Sequence, residues 1–194
     1  NSYLPLGRSD TGRKDWNFLL ISLVNGEPFS KWLELVIKQA NPFNGIYLLP
    51  VESQKLIADL NKTALEKVEA KWETLVMHNK VGGFRIVVFK DKKIVFSRLA
   101  QQLVGNNVAD VLVGNLEQEV SNTVEYIKRM GFTGEVDSKL TIISEAEILK
   151  KIDSKAFNFG HGDLFTPYQL AERLSISDCV ADSDKFADIL VAAH

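Results

Sequence analysis

The chain has 194 residues, enough for one large domain or two small ones with a sizeable core. It is 45% hydrophobic and 25% charged with a formal net charge of −2, so no nucleic-acid partner and no anionic-membrane surface are expected, since polyanion binders carry a basic excess. No apolar run approaches the roughly 18 residues of a membrane span, and no stretch has the signal-peptide pattern. The one cysteine, Cys179, fits a reducing compartment and reads as a small buried residue.

Asn1 to Asp15 is polar and glycine-containing and reads as a loose lead-in. Trp16 to Val24 is an apolar run ended by Asn25-Gly26, the pattern of a buried strand. Pro28 and Phe29 open a helix to about Gln39, and Gly45 to Leu49 reads as a second strand. Pro50 starts a helix with Val51, Leu56, Leu60 and Leu65 near one face. Lys71 to His78 is a strand, followed by the turn Val81-Gly82-Gly83. Phe84–Phe89 and Ile94–Leu99 then form a hairpin with Asp91-Lys92 at its tip. From about Asn107 to Met130 apolar residues recur at helical spacing, and Gly131 stops the helix. Leu140–Ile143 reads as a strand, Glu145–Ile152 as a helix and Ala156–Phe159 as a weaker strand. Thr166-Pro167 opens a helix with Leu170 and Leu174, and a last helix runs from about Ser183. Trp16, Trp32 and Trp72 read as core.

From Lys71 onward the order is three antiparallel strands followed by helix–strand alternation. That is the order of the ribonuclease H-like fold, which underlies nucleases, sugar kinases and actin-like ATPases. The expected fold is therefore α/β with a mixed sheet, preceded by a smaller β-α-β-α unit. The expected division is a lead-in over 1–15, a subdomain over 16–69 and a ribonuclease H-like subdomain over 70–194. The start at Asn1 and the stop at His194, inside an apolar helical pattern, read as a segment of a longer protein.

With Asp91-Lys92 as the turn, Phe89 faces Ile94, Val87 faces Phe96 and Arg85 faces Arg98. Two opposed arginines are destabilising unless an anion or carboxylate lies between them. They are candidates for binding a phosphate or a partner's acidic residue beside Gly82 and Gly83, or for neutralisation inside the fold by Glu73 or helix-end carbonyls. A nuclease of this fold needs clustered carboxylates holding two metals about 4 Å apart. By position those would be Glu73, Glu117 or Glu119, and Glu145. An actin-like ATPase needs a glycine-rich phosphate turn with an acid ending the preceding strand, where this chain has His78 and Asn79. His161-Gly162-Asp163 reads as a polar loop. No catalytic constellation and no metal site emerge.

The run from Lys71, the long helix ending at Gly131-Phe132 and the segment from Tyr168 to Ile176 together resemble a known family: the cytoplasmic actin-like domains of PilM-type pilus-biogenesis and GspL-type type II secretion proteins. The most specific part is the hairpin Gly83-Phe84-Arg85 with Val95-Phe96-Ser97-Arg98-Leu99. The resemblance implies a cytoplasmic scaffold at the inner face of a bacterial inner membrane, with protein partners and no cofactor. Membrane contact would come only through segments absent from this chain. The alternative it implies is a nucleotide-binding ATPase of the PilM type, with ATP and magnesium at the Gly82-Gly83 turn. His78 is a further binding candidate.

Overall fold

The computed structural model describes all residues except 1, 9–11, 22–25, 40–46, 64–68, 102–108, 135 and 182–184. The chain divides into two units, Asn1–Ile46 and Tyr47–His194. In the first, β1 (Ser2–Arg8) pairs antiparallel with β2 (Trp16–Ile21), so Ser2–Arg8 of the expected lead-in is a strand. An irregularity between Pro5 and Gly7 accommodates the proline, which has no N–H for the ladder. The helix α1 (Glu27–Ile37) follows as expected, with a proline in its first turn. The expectation of a buried β2 fails: Trp16, Phe18 and Leu20 share one face and are 55%, 48% and 80% exposed. A two-stranded ribbon has too few neighbours to bury an aromatic face. Trp32 on α1 is also exposed.

The second unit opens with α2 (Leu49–Thr63), which buries Leu56, Ile57 and Leu60. Of the strand expected over Gly45–Leu49, Gly45 and Ile46 lie outside the described residues, Tyr47 and Leu48 are in no strand, and Leu49 begins α2. Next come β3 (Trp72–Asn79), β4 (Gly83–Lys90), β5 (Lys93–Ala100) and α3 (Ala109–Lys128). They are followed by β6 (Ser138–Ile143), the single-turn α4 (Ala146–Leu149) and a 3-10 turn at Ser154–Phe157. The last elements are β7 (His161–Phe165), α5 (Pro167–Arg173) and α6 (Ile189–Ala193). The strand expected at Ala156–Phe159 is not one, since Ala156 and Phe157 lie in the 3-10 turn and Asn158 and Phe159 in no element, while His161-Gly162-Asp163, expected as a loop, lies in β7. Thr166 caps α5 in a full capping box with Gln169. Cys179, expected buried, is exposed in a short 3-10 turn after α5. Among the described residues no helix is long and apolar enough to cross a membrane.

These strands form one mixed sheet in the order β5-β4-β3-β6-β7. The neighbours β5, β4 and β3 are antiparallel, while β6 runs parallel to β3 and β7 parallel to β6. Successive residues point to opposite faces. One face carries Trp72, Val76, Phe84, Ile86, Val88, Leu140 and Ile142 into a core with Leu112, Leu116, Val120 and Ile127 of α3. The other buries Leu75, Met77, Val87, Phe89 and Ile143 beneath a layer containing α2, α5 and α6. Burial on both faces explains why the central strands read as nearly continuous apolar runs.

Asp91 and Lys92 form the hairpin tip as expected, both with positive φ (49° and 64°), the signature of the turn whose twist matches its strands. The register beyond it differs from expectation. Phe89 pairs with Ile94, but Val88 pairs with Phe96, so Val95 is an extra residue. Past this bulge Arg85 pairs with Leu99 and Arg98 with Ile86. The two arginines therefore do not face each other; they project from opposite faces of the sheet.

Candidate functional site

The chain runs outward from β3 through β4 to β5, then returns to place β6 and β7 on the other side of β3. This reversal sits at the carboxyl ends of β3 and β6, where open α/β sheets place their ligands. Four of the five candidate residues meet there. His78 is buried on the α3 face, stacked on Phe84 with ring centroids 4.8 Å apart, and its Nδ1 is 3.1 Å from Ser144 Oγ at the end of β6. Gly83 has φ 83°, a conformation that requires glycine. A Cβ on Gly82 would meet only Asn79 Cβ at 3.6 Å, so no steric demand explains that glycine.

Arg85 lies on the other face. Its Nε is 3.1 and 3.2 Å from the two carboxylate oxygens of Asp188, and its second nitrogen is 3.1 Å from Oδ2. This two-pronged pair is about four-fifths buried, with side chains 17% and 21% exposed. Arg98 instead reaches Glu119 of α3 at 2.6 Å. Both cations are neutralised within the fold, by Asp188 and Glu119, while Glu73 serves neither.

Asp188 belongs to a short strap, Lys185 to Asp188, lying across the end of the sheet. The last β3–β6 pair is Met77 with Ile143; beyond it Phe186 forms an antiparallel bridge with Asn79. Lys80 N donates to Lys185 O at 3.1 Å and Ala187 N donates to His78 O at 3.1 Å. Asp188 N donates to Asn79 Oδ1 at 3.0 Å, and Lys185 Nζ lies 3.1 Å from Glu145. The strap leads into α6, whose Leu190 and Val191 are buried and which packs against α2. At its end His194 Nε2 is 2.8 Å from Asp59, and Lys62 with His194 holds that carboxyl below its ordinary value. The expected helix from Ser183 therefore begins later, at Ile189, and residues 182–184 lie outside the described ones.

The carboxylates a nuclease would need do not converge. Glu73 pairs in register with Lys139 at the amino end of β6, whereas Glu145 follows its carboxyl end, about 20 Å away at strand rise. Glu119 is held by Arg98 on the α3 side. Glu73 joins a different cluster: Asn61 Nδ2 donates to its Oε2 at 2.6 Å, and Lys139 Nζ donates to Asn61 Oδ1 at 3.2 Å and meets Asp163 at 2.9 Å. Burial pushes the Glu73 carboxyl above its ordinary value, against the opposing pull of Asn61, Lys139 and Lys92. Among the described residues no group of three or more His, Cys, Asp or Glu side chains converges as a metal site would. A cavity of about 330 Å³ between α3 and Ala156–Asn158 includes none of the binding candidates.

Sequence reasoning missed Ser144 and Asp188, and the strap contact of Asn79. Their roles arise from contacts across 66, 109 and 103 residues of chain, which leave no local pattern. Comparison with known proteins finds no family model and no curated protein that matches this chain.

Proposed function

We propose that the chain is a non-catalytic interaction domain of ribonuclease H-like, actin-like fold, serving as a cytoplasmic scaffold in a bacterial pilus-biogenesis or secretion-type inner-membrane assembly. The strand order β5-β4-β3-β6-β7, with an antiparallel meander on one side of β3 and two parallel strands on the other, supports the fold reading. The family reading rests on the resemblance of the hairpin from Gly83 to Leu99 and of the long helix after it.

One observation carries the non-catalytic reading. Where a nucleotide-using relative of this architecture would present an acid and an open phosphate turn, β3 ends in His78-Asn79 and the position is covered by Lys185–Asp188. An acid at that strand end would position a magnesium ion; a histidine stacked on Phe84 and an asparagine bonded to the strap supply no such charge. The rival reading, an ATPase of the PilM type, draws on Gly82-Gly83 at the same end.

Calorimetric titration of Mg-ATP separates the two. The scaffold reading expects no saturable heat at millimolar nucleotide. Micromolar binding that disappears in Gly82→Trp would overturn it in favour of the ATPase.

A further inference from the structure

At Phe186 the strap is held as the first residue of an added strand would be, before Ala187 and Asp188 turn into α6. Where β6 leaves β3, its place beside His78 and Asn79 is taken by Lys185–Asp188, where two main-chain hydrogen bonds at 3.1 Å make the bridge of Phe186 to Asn79. Main-chain pairing of this kind is indifferent to sequence and accepts any extended segment of the right direction. Chemical selectivity comes from Arg85, whose guanidinium grips one carboxylate in a two-pronged geometry. Phe186 adds little, since its ring is 44% exposed.

The strap is also an imperfect occupant. Asn79 uses its Oδ1 on the Asp188 amide, yet its Nδ2 is buried with no acceptor among the described residues. A buried amide donor without an acceptor costs free energy, and a segment that supplied one would hold the site better.

We propose that the carboxyl end of β3 is a docking site for a short acidic segment of a partner protein, one that bridges Asn79 and then turns to present a carboxylate, and that Lys185–Asp188 occupies it in cis. The partner segment pairs with β3 through its main chain, sets a carboxylate on Arg85 and offers an acceptor to Asn79 Nδ2. It displaces the strap and thereby couples docking to release of the chain's own covering segment. This inference rests on the interaction-domain reading and names the partner chemistry for it.

The test uses the full chain and a fluorescein-labelled synthetic peptide with the sequence of residues 184–190 (DKFADIL). In the wild type the tethered strap competes at an effective concentration in the millimolar range. In Asp188→Asn, which loosens the strap but leaves Arg85 in place, the peptide should bind at least about tenfold more tightly than to the wild type. The gain should vanish when Arg85→Gln is added, and when the peptide carries asparagine in place of its second aspartate. Equal affinity of wild type and Asp188→Asn, both folded by circular dichroism, overturns the proposal. So does a gain that survives Arg85→Gln, or a gain for pyrophosphate without one for the peptide, which would assign the opened site to a small anion. If Asp188→Asn does not fold, Glu145→Gln releases only Lys185 and serves for the same comparison. Mg-ATP titrated in parallel keeps the two readings apart: nucleotide heat counts against the interaction domain, whereas peptide results bear on docking alone.

Discussion

The contact between Arg85 and Asp188 allows the strap's hold on the sheet to be measured. Its two side chains are 17% and 21% exposed and share three N–H···O contacts of 3.1–3.2 Å. Exposed ion pairs contribute about 0.2–1 kcal/mol, whereas hydrogen bonds to charged groups contribute about 1.5–3 kcal/mol. A pair this well covered and this well aligned should show a coupling energy of about 2 kcal/mol, between the exposed and fully buried limits. The assay is a double-mutant cycle of Arg85→Gln and Asp188→Asn, read from urea denaturation at neutral pH and low salt. Hydrogen exchange supplies a local readout: the Ala187 and Asp188 amides, bonded to His78 O and Asn79 Oδ1, should exchange about 30-fold faster in either single variant. The parallel cycle at Arg98 and Glu119 should give about 1 kcal/mol or less, because Arg98 is twice as exposed as Arg85. A coupling below about 0.5 kcal/mol at Arg85–Asp188, in proteins that remain folded, would refute the reasoning that this pair fastens the strap.

Three further outcomes are expected. Leu116→Ala, at a fully buried position of α3, should cost about 2–5 kcal/mol in urea denaturation, whereas Leu99→Ala, at a position 44% exposed, should cost below about 1 kcal/mol; similar losses at both would contradict the two-faced core. Lys92→Gly should raise stability by about 0.5–1 kcal/mol because it relieves a positive φ of 64° in the hairpin tip, and a fall in the urea midpoint would count against that turn. The Glu73 carboxyl has a folded pKa above its unfolded value, so the native state holds the proton more tightly. The stability this brings is full below the ordinary value of 4.5 and is lost as pH rises through the raised one. Glu73→Gln, which keeps an oxygen for Asn61, should therefore have the higher urea midpoint at about pH 7, with the gap closing toward about pH 4; a lower midpoint at neutral pH would reverse the sign of the argument.

The elements of the second unit were largely legible because their local periodicity is strong. The run Trp72–Asn79 and its two successors alternate with turn residues, and Leu112, Leu116, Val120 and Ile127 recur at helical spacing up to a glycine with φ 93°. The polar β7 was not legible: its first residues are exposed at the sheet edge, so no apolar alternation marks it, and only pairing with β6 makes it a strand. Trp16, Trp32 and Cys179 show the converse, since an apolar residue states a preference for burial but not whether a neighbour exists to supply it.

Register and partnership belonged to the tertiary structure. Either register of the hairpin buries apolar side chains on both faces, so sequence alone had no reason to place an extra residue at Val95. That one residue sends Arg98 to Glu119 on one face and leaves Arg85 for Asp188 on the other. Local pattern determined the apolar strands β3, β4, β5 and β6 and the long helix α3, because periodicity is a property of neighbours in the chain. The pairing of Arg85 with a carboxylate 103 residues away was decided only when topology brought the strap over the end of β3, because that contact depends on which chain segments the fold leaves adjacent in space.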